Sequence, residues 1–172
     1  LRLFNLAYYH LNAQSKQTAI QYYTDFLYPL DHISQWNRLY GPKGFYQYQS
    51  VVPPETSFDA TQAMIQTIAQ ANDGSFLTVL KTFSNRPSLG MLSFVREGTT
   101  LALDFPNKGA KTQQLFARLD AIVKEAKGRI YPAKDARMPK AMFEIGYPKF
   151  NTFMKYRDPG ISSAFSRRVM GD

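Results

Sequence analysis

The alternation of apolar and polar residues predicts strands and helices that follow one another through the middle of the chain. Residues 45–53, FYQYQSVVP, alternate with the period of two that is typical of a strand. Residues 57–73 place apolar side chains at helical spacing, with Ser57 as a candidate N-cap. The apolar face of this helix consists of Met64, Ile65, Ile68 and Ala69. Residues 75–83, SFLTVLKTF, predict the next strand.

The same order of elements then occurs a second time. Residues 91–95, MLSFV, predict a short strand, and residues 99–106, TTLALDFP, predict a longer one. Residues 110–128 form the most regular helical pattern, which Gly128 is expected to end. Its apolar stripe consists of Leu115, Leu119, Ile122 and Val123. Residues 129–133, RIYPA, predict a last strand, so the order β-α-β, β-α-β predicts an α+β fold of the split βαβ (ferredoxin-like) type. We expect an antiparallel sheet with helices on one face.

The flanking segments are less regular. Residues 1–13 have helical spacing, residues 19–30 are expected to be extended, and residues 29–41 predict a short helix that Gly41 ends. After residue 133 short helical pieces are interrupted by prolines, and the basic final residues suit a surface laid across another domain. The chain is therefore expected to divide into a lead-in segment 1–44, a domain 45–133 and a C-terminal segment 134–172.

Composition narrows the classes of function. The 172 residues are 44% hydrophobic and 15% aromatic, which suits a packed core together with a pocket or an interface. Cysteine is absent, which excludes disulfides, thiolate metal sites and thiol catalysis, and two histidines argue against a metal centre. No apolar run reaches the roughly 18 residues that span a bilayer. The chain begins without Met or a signal-peptide pattern, so we expect it to be a piece of a longer protein.

The net charge of +8 is concentrated in the second half of the chain, where residues 87–172 carry 15 basic and 8 acidic side chains. Such an excess indicates either a solvated positive face or a surface that attracts polyanions. A stand-alone basic module that binds RNA or another polyanion is therefore an alternative, with Phe45, Tyr48 and Lys81 as its candidate contacts. The first strand has no RNP-like pattern, which counts against this alternative.

Four small groups of residues are candidates for chemistry. Lys134 follows the last strand and is either a cation aimed at a ligand or a surface lysine paired with Asp135. Gln47 and Gln49 are two residues apart and therefore share one face of a strand. Lys81 and Phe83 have the same spacing and either line a pocket or are an edge charge and a core ring. Asp104 and Asp135 could act as an acid and a base only if the fold brings them together.

The order of several stretches resembles the C-terminal part of FAD-linked oxidases of the vanillyl-alcohol oxidase type. The resemblance extends over nearly the whole chain. It is carried by FLYPLDHISQWNRLYGPKGF, GFYQYQSVVP, LKTF, LSFVREGTTLALDFP, KGRIYPAKDAR and RDPGISSAFSRR. It implies an N-terminal domain that binds most of the FAD, a substrate (cap) domain whose sheet covers the flavin, and a C-terminal segment that returns to the FAD domain.

The resemblance also implies roles for individual residues. Lys134 would be catalytic beside the flavin, where an ammonium stabilises developing negative charge, and Tyr131 would contact the flavin. The substrate would be held by Gln47, Gln49, Lys81, Phe83, Thr100, Ala102 and Tyr28. Thr100 and Ala102 stand where one branch of the family has an asparagine and a cysteine, so the identity of the substrate stays open.

The expected function is that of an FAD-dependent oxidoreductase acting on a CH–OH group of a sugar or a polyprenyl-phosphate sugar. The partners would be the protein's own N-terminal FAD-binding domain and this substrate, with no metal and no nucleic acid. A cytoplasmic location is expected, with peripheral association with a membrane allowed. The 172 residues alone are expected to be inactive.

Overall fold

The first of two structural units is mainly helical. A computed structural model describes residues 2–13, 20–75, 77–135 and 137–171, and its contacts divide the chain into Leu1–Gly44 and Phe45–Asp172. The first unit contains helices α1 (Arg2–Ala13) and α2 (Tyr23–Leu27) and two 3₁₀ turns, Pro29–His32 and Trp36–Tyr40.

The extended structure expected over 19–30 is wrong from Tyr23 onward, where α2 and the first 3₁₀ turn form. The Tyr28 amide donates to the Thr24 carbonyl at 2.8 Å, so local helical hydrogen bonds override the β-propensity of the aromatic residues. Gly41 follows the second 3₁₀ turn with φ +80°, as predicted for a stop.

The second unit contains a four-stranded antiparallel sheet. Its strands are β1 (Phe45–Val52), β2 (Thr78–Phe83), β3 (Gly98–Pro106) and β4 (Arg129–Ile130). They lie in the order β2-β3-β1-β4. Helix α3 (Ser57–Gln70) connects β1 to β2, and α4 (Ala110–Glu125) connects β3 to β4. The predicted α+β fold with the ferredoxin-like order of elements is confirmed.

The two faces of β1 have different environments. Tyr48 packs against Phe116 of α4, with ring centroids 5.1 Å apart, and Ser50 contacts Met64 of α3. Because side chains alternate along a strand, Gln47 and Gln49 point to the opposite face. The helices therefore cover the tyrosine face. The two glutamines share the other face, as their spacing predicted, with Gln47 half-buried and Gln49 buried.

Three further helices follow β4, and the first of them packs against it. They are α5 (Lys140–Gly146), α6 (Phe150–Met154) and α7 (Ala164–Met170). Phe143 of α5 and Val169 of α7 are fully buried in the main core with Leu101, Phe105 and Leu119. Ser163 begins α7 with a reciprocal capping box to Ser166. The basic final residues are therefore tied into this unit's own core.

Several local predictions differ from the structure. Residues 91–95 form no strand, because Phe94 turns inward as part of an irregular loop and is buried. Ser57 is the first residue of α3 and donates to the Pro54 carbonyl, so it is not the N-cap. Within α3, Ile65 is exposed while Ala60 and Thr67 are buried, so the buried face is rotated from the predicted one.

The end of α4 is also built differently from the prediction. The residue in the left-handed conformation is Lys127, with φ +55°, rather than Gly128. The Gly128 amide donates to the Val123 carbonyl at 2.8 Å, and a Cβ at this position would lie 2.6 Å from the Val51 carbonyl oxygen. Gly128 is therefore required for the close approach of β4 to β1 and not for the helix stop.

Candidate functional site

The helix-free face of the sheet brings together most of the polar residues predicted for the site. In the strand register, Gln49 lies opposite Ala102, and Lys81 lies opposite Thr100. The Gln49 side-chain amide donates to Thr100 Oγ1 at 3.1 Å. The two residues are diagonal neighbours on β1 and β3, because Thr100 lies two residues before Ala102. Directly opposite residues of an antiparallel pair share a face, so these four residues and Gln47 form one polar surface.

Lys134 lies at the edge of this polar surface. It ends the 3₁₀ turn Pro132–Lys134, which places its side chain beside a small cavity. This cavity is also lined by Gln47, Gln49 and Tyr131. β4 pairs with β1 only at Ser50 and Val51, so the turn covers the part of β1 that β4 leaves unpaired.

The Lys134 ammonium has no ion pair or hydrogen bond to any residue that the structure describes. The alternative in which it pairs with Asp135 is wrong. Asp135 accepts from Arg168 at 2.7 Å and from the Met138 amide at 2.8 Å. The carboxylate thus fixes the backbone that follows the turn and leaves the ammonium free to act on a ligand.

A buried network under the opposite face of β1 holds the segment after Lys134. The Tyr48 hydroxyl donates to Asp120 Oδ1 at 3.0 Å, and Arg137 Nη2 lies 2.6 Å from Asp120 Oδ2. The Arg137 guanidinium also lies over the Phe116 ring, 5.2 Å from its centroid. Because Arg137 is three residues after Lys134, this network positions the lysine relative to β1.

Burial raises the pKa of Asp120, and the Arg137 guanidinium only partly opposes it. A carboxyl with a raised folded-state pKa gives stability that is fully present below its unfolded pKa of about 4 and is lost as pH rises through the folded pKa. The Asn side chain of the Asp120→Asn variant cannot titrate, so the variant does not lose stability in this way as pH rises. We therefore expect the difference in free energy of unfolding between wild type and variant to shift in favour of the variant from pH 4 to pH 7.

The shift should amount to about 1.4 kcal/mol for each unit by which folding raises the pKa. Urea denaturation at a series of pH values measures it. Glu125→Gln, which neutralises an exposed carboxylate at the end of α4, is the control. A shift in favour of the wild type would mean that the Arg137 attraction outweighs burial.

Three aromatic rings form a row beside the polar surface. Phe83 meets Phe94 edge-on at 6.1 Å, and Phe94 stacks on Tyr131 at 4.5 Å. The Lys81 ammonium lies 5.6 Å from the centroid of the Phe83 ring. Phe94 was missed by the sequence reasoning, because LSFV was interpreted as a strand. The row connects the two predicted aromatic site residues, Phe83 and Tyr131.

Other predicted residues are placed differently. Thr100 is almost fully buried, so its hydroxyl contacts Gln49 and not solvent. Ala102 is half-buried. Asp104 is buried and accepts from the Gln47 amide at 3.0 Å. The carboxylates of Asp104 and Asp135 thus have separate partners. Tyr28 belongs to the unit Leu1–Gly44, and its role at the pocket wall stays a prediction.

The residues present fit one wall of a flavin site. The Lys134 ammonium, the amide of the half-buried Gln47 and the ring of Tyr131 line one cavity at the edge of β1, and such groups suit the polar edge of an isoalloxazine ring. In the described ranges no cluster of three histidine or carboxylate side chains could hold a metal ion. No described helix combines the length and apolar character needed to cross a bilayer.

The fold is a mixed α+β fold, consistent with the cap domain of an FAD-linked oxidase. No protein-family model matches the chain. The chain is 38% identical over 155 residues to decaprenylphosphoryl-beta-D-ribose oxidase of Mycolicibacterium smegmatis (strain ATCC 700084 / mc(2)155), covering 87% of this chain. It spans only 33% of that relative's length. The predicted resemblance is confirmed, and the short coverage agrees with a C-terminal part of such an oxidase.

Proposed function

We propose that the chain is the substrate domain of an FAD-dependent oxidoreductase that oxidises a CH–OH group of a sugar or a polyprenyl-phosphate sugar. One observation carries the proposal. The Lys134 ammonium is unpaired among the described residues and lines a cavity at the edge of β1 with Gln47, Gln49 and Tyr131. Phe116 of α4 and Arg137 line the same cavity from the helix side. The similarity to a prenyl-sugar oxidase supports the class of reaction.

Bound FAD would supply a hydride acceptor for the oxidation of the CH–OH group. Lys134 would hold a positive charge where negative charge develops during this transfer. Gln47 and Gln49 already donate to Asp104 and Thr100, which fixes the orientation of their amides. The half-buried Gln47 would accept from a substrate hydroxyl through its carbonyl oxygen, while the buried Gln49 would support the surface from beneath.

The remaining predicted residues would shape the substrate pocket. Lys81 is exposed and held over Phe83, so it can meet an anionic or hydroxylated group of the substrate. Tyr131, stacked on Phe94, would give the flavin a rigid aromatic neighbour. Ala102 is smaller than the cysteine that one branch of the resembling family has at this position. The extra space would admit a different sugar or lipid chain.

Most of the FAD would be bound by an N-terminal domain of the same protein. The lead-in 1–44, the domain 45–133 and the segment 134–172 remain our division of the chain, with the last segment contacting that domain. Exposed apolar residues on the segment support this contact, namely Ile145, Tyr156 and Ile161. We place the whole protein in the cytoplasm, with peripheral attachment to a membrane that supplies the lipid-linked sugar.

The structure counts against the alternative of an RNA-binding module. Tyr48, one of its three candidate contacts, is 4% exposed and bonded to Asp120 beneath α4. A buried ring cannot stack on a nucleotide base. The alternative would have to rest on Phe45 and Lys81 alone.

The proposal is tested with the full-length protein that contains this chain. Added anaerobically, a polyprenyl-phosphoryl sugar should bleach the visible absorbance of bound flavin, because the substrate reduces it. The same sugar with its CH–OH group replaced by CH–F is the matched control and should leave the flavin oxidised. A full-length protein that binds no flavin, or flavin that no lipid-linked sugar reduces, would contradict the proposal.

The 172-residue chain purified alone should be colourless and inactive, because it supplies only one wall of the flavin site. Absorbance spectroscopy after addition of excess FAD and removal of unbound ligand checks this. Stoichiometric retention of flavin by the chain alone would show that the assignment of FAD binding to another domain is wrong.

A further inference from the structure

A second concentration of cations lies away from Lys134, around the loop between β2 and β3. We call residues 84–97 the 84–97 loop. Together with the start of β4 and the turn before α6, it encloses an open depression of about 260 Å³. Four cationic side chains line this depression: Arg86, Arg96, Arg129 and Lys149. Glu97 is the single carboxylate among the described residues that line it.

The four cations are not neutralised within the described chain. None of them forms an ion pair with a described residue, Glu97 included. Arg96 Nη1 donates to the Lys127 carbonyl at 3.0 Å, and Arg129 Nη1 donates to the Ser93 carbonyl at 2.9 Å. These bonds to neutral carbonyls orient the two guanidinium groups without cancelling their charge.

Arg129 is held in an environment that favours a nearby anion. Its guanidinium lies over the Tyr147 ring, 5.2 Å from the centroid, and its Nε is buried with no hydrogen-bond partner among the described residues. Burial and, after it, the charge of Arg96 lower the pKa of Arg129. An anion in the depression would relieve the repulsion between these two cations.

Hydroxyl groups add uncharged donors to the same depression. Ser88 and Ser93 lie on its wall, and the Ser88 hydroxyl donates to that of Ser93. Guanidinium, ammonium and hydroxyl groups around one concave surface are the set that recognises phosphate, because phosphate oxygens accept several charge-assisted hydrogen bonds at once.

An apolar groove continues from the cationic depression and shares part of its lining. The two share Arg86, Pro87, Ser88, Gly90 and Val95, and the groove adds Phe83 and Leu89. Leu89 is fully exposed and Val95 is 43% exposed. A fully exposed leucine beside a group of cations suits a ligand that has an anionic end and an apolar chain.

We infer that the 84–97 loop binds a phosphate group carried on a lipid, with the phosphate among Arg86, Arg96 and Lys149 and the chain against Leu89 and Val95. Arg129 also lines the depression and adds its positive charge to the site. The inference rests on the proposed function for the kind of ligand, because a polyprenyl-phosphate sugar is also a phosphate carried on a lipid. Its observations involve no flavin and, of the residues assigned to the substrate, only Phe83 at the end of the groove.

The test uses the purified 172-residue chain and three probes: inorganic phosphate, monomeric dihexanoyl phosphatidic acid, and phosphatidylcholine vesicles with or without phosphatidylglycerol. Calorimetry and vesicle sedimentation measure binding. The monomeric lipid should bind more tightly than inorganic phosphate, and vesicles should bind only when they contain the anionic lipid. Comparison of the monomer with the vesicles tells a single lipid phosphate from a bilayer surface.

Arg86→Gln and Arg96→Gln should each weaken binding of the monomeric lipid about tenfold or more, since each removes a charge-assisted contact with phosphate. Lys124→Gln removes the same charge from an exposed position at the end of α4 and is the matched control. Leu89→Ser should weaken binding of the lipid and leave that of inorganic phosphate unchanged.

Two results would overturn the inference. One is equal affinity for the monomeric lipid and for inorganic phosphate, which would remove the apolar part of the site. The other is equal loss of binding in Lys124→Gln and in the loop variants, which would show that net charge alone attracts the probe. Circular dichroism of each variant establishes that it is folded. Because flavin is absent from every arm, failure here leaves the proposed oxidase function untouched.

Discussion

Lys134→Ala should lower kcat/KM of the flavin-loaded full-length protein by about 10²- to 10³-fold, the usual cost of removing one group that stabilises transition-state charge. The Lys134 ammonium has no protein partner among the described residues, so its replacement breaks no ion pair of the fold. The loss should therefore fall on kcat more than on KM and leave the melting temperature nearly unchanged. Steady-state kinetics and thermal denaturation measure the two effects.

Lys111→Ala is the matched control for this substitution. Lys111 is exposed in the first turn of α4, on the helix side of the sheet. The Lys111→Ala variant should retain the wild-type kcat/KM. Lys134→Arg should recover part of the activity, because it restores the charge with a different shape. Wild-type kinetics in Lys134→Ala would remove the ammonium from the mechanism, while the domain assignment could still hold.

Gly98→Ala should destabilise the unit Phe45–Asp172 by about 3 kcal/mol or more, a large fraction of the stability of an ordinary domain. Gly98 begins β3 with φ +139°, a conformation that L-amino acids rarely adopt. A Cβ there would lie 2.0 Å from the Val52 carbonyl oxygen and 3.1 Å from Pro53 Cα. Both atoms belong to the backbone, so the two central strands would have to separate.

Gly90→Ala is the control for backbone effects. Its φ lies outside the strained region, and the nearest contact of the added Cβ would be Ser93 Cβ at an ordinary 3.7 Å. This variant should unfold within about 0.5 kcal/mol of the wild type, as surface substitutions usually do. Denaturant unfolding followed by circular dichroism compares them. Equal midpoints for the two variants would show that β1 and β3 adjust to the added methyl group without cost.

The order of the sheet could be predicted because each strand and each long helix has a strong pattern of its own. Residues 45–53 alternate cleanly, and α4 carries Leu115, Leu119 and Val123 at helical spacing, all of them buried. A chain with two β-α-β units and short connections can adopt only a few compact topologies. The antiparallel order β2-β3-β1-β4 is one of them.

The local errors arose where tertiary contacts override residue preference. Lys127 adopts the left-handed conformation that a glycine usually takes, because Gly128 is already needed beside Val51. Phe94 belongs to a run of strand-forming residues, yet it turns inward to stack on Tyr131. Neither outcome can be inferred from spacing, since each depends on a residue that is distant in sequence.

Only part of the site could be predicted from the sequence, and the reason is related. Spacing by two residues was enough to put Gln47 with Gln49 and Lys81 with Phe83 on one face of the sheet. The partners that position Lys134 were not predictable, because Asp120, Arg137 and Tyr48 come from three separate elements. The pairing of Asp135 with Arg168, 33 residues further along the chain, was missed for the same reason.

The alternation of β1 between two environments has a consequence for how this chain can change during evolution. Deletion of one residue between Phe45 and Val52 would exchange the amide side chains for the tyrosines along the remainder of the strand, so function and folding would fail together. Homologues should therefore keep β1 free of gaps.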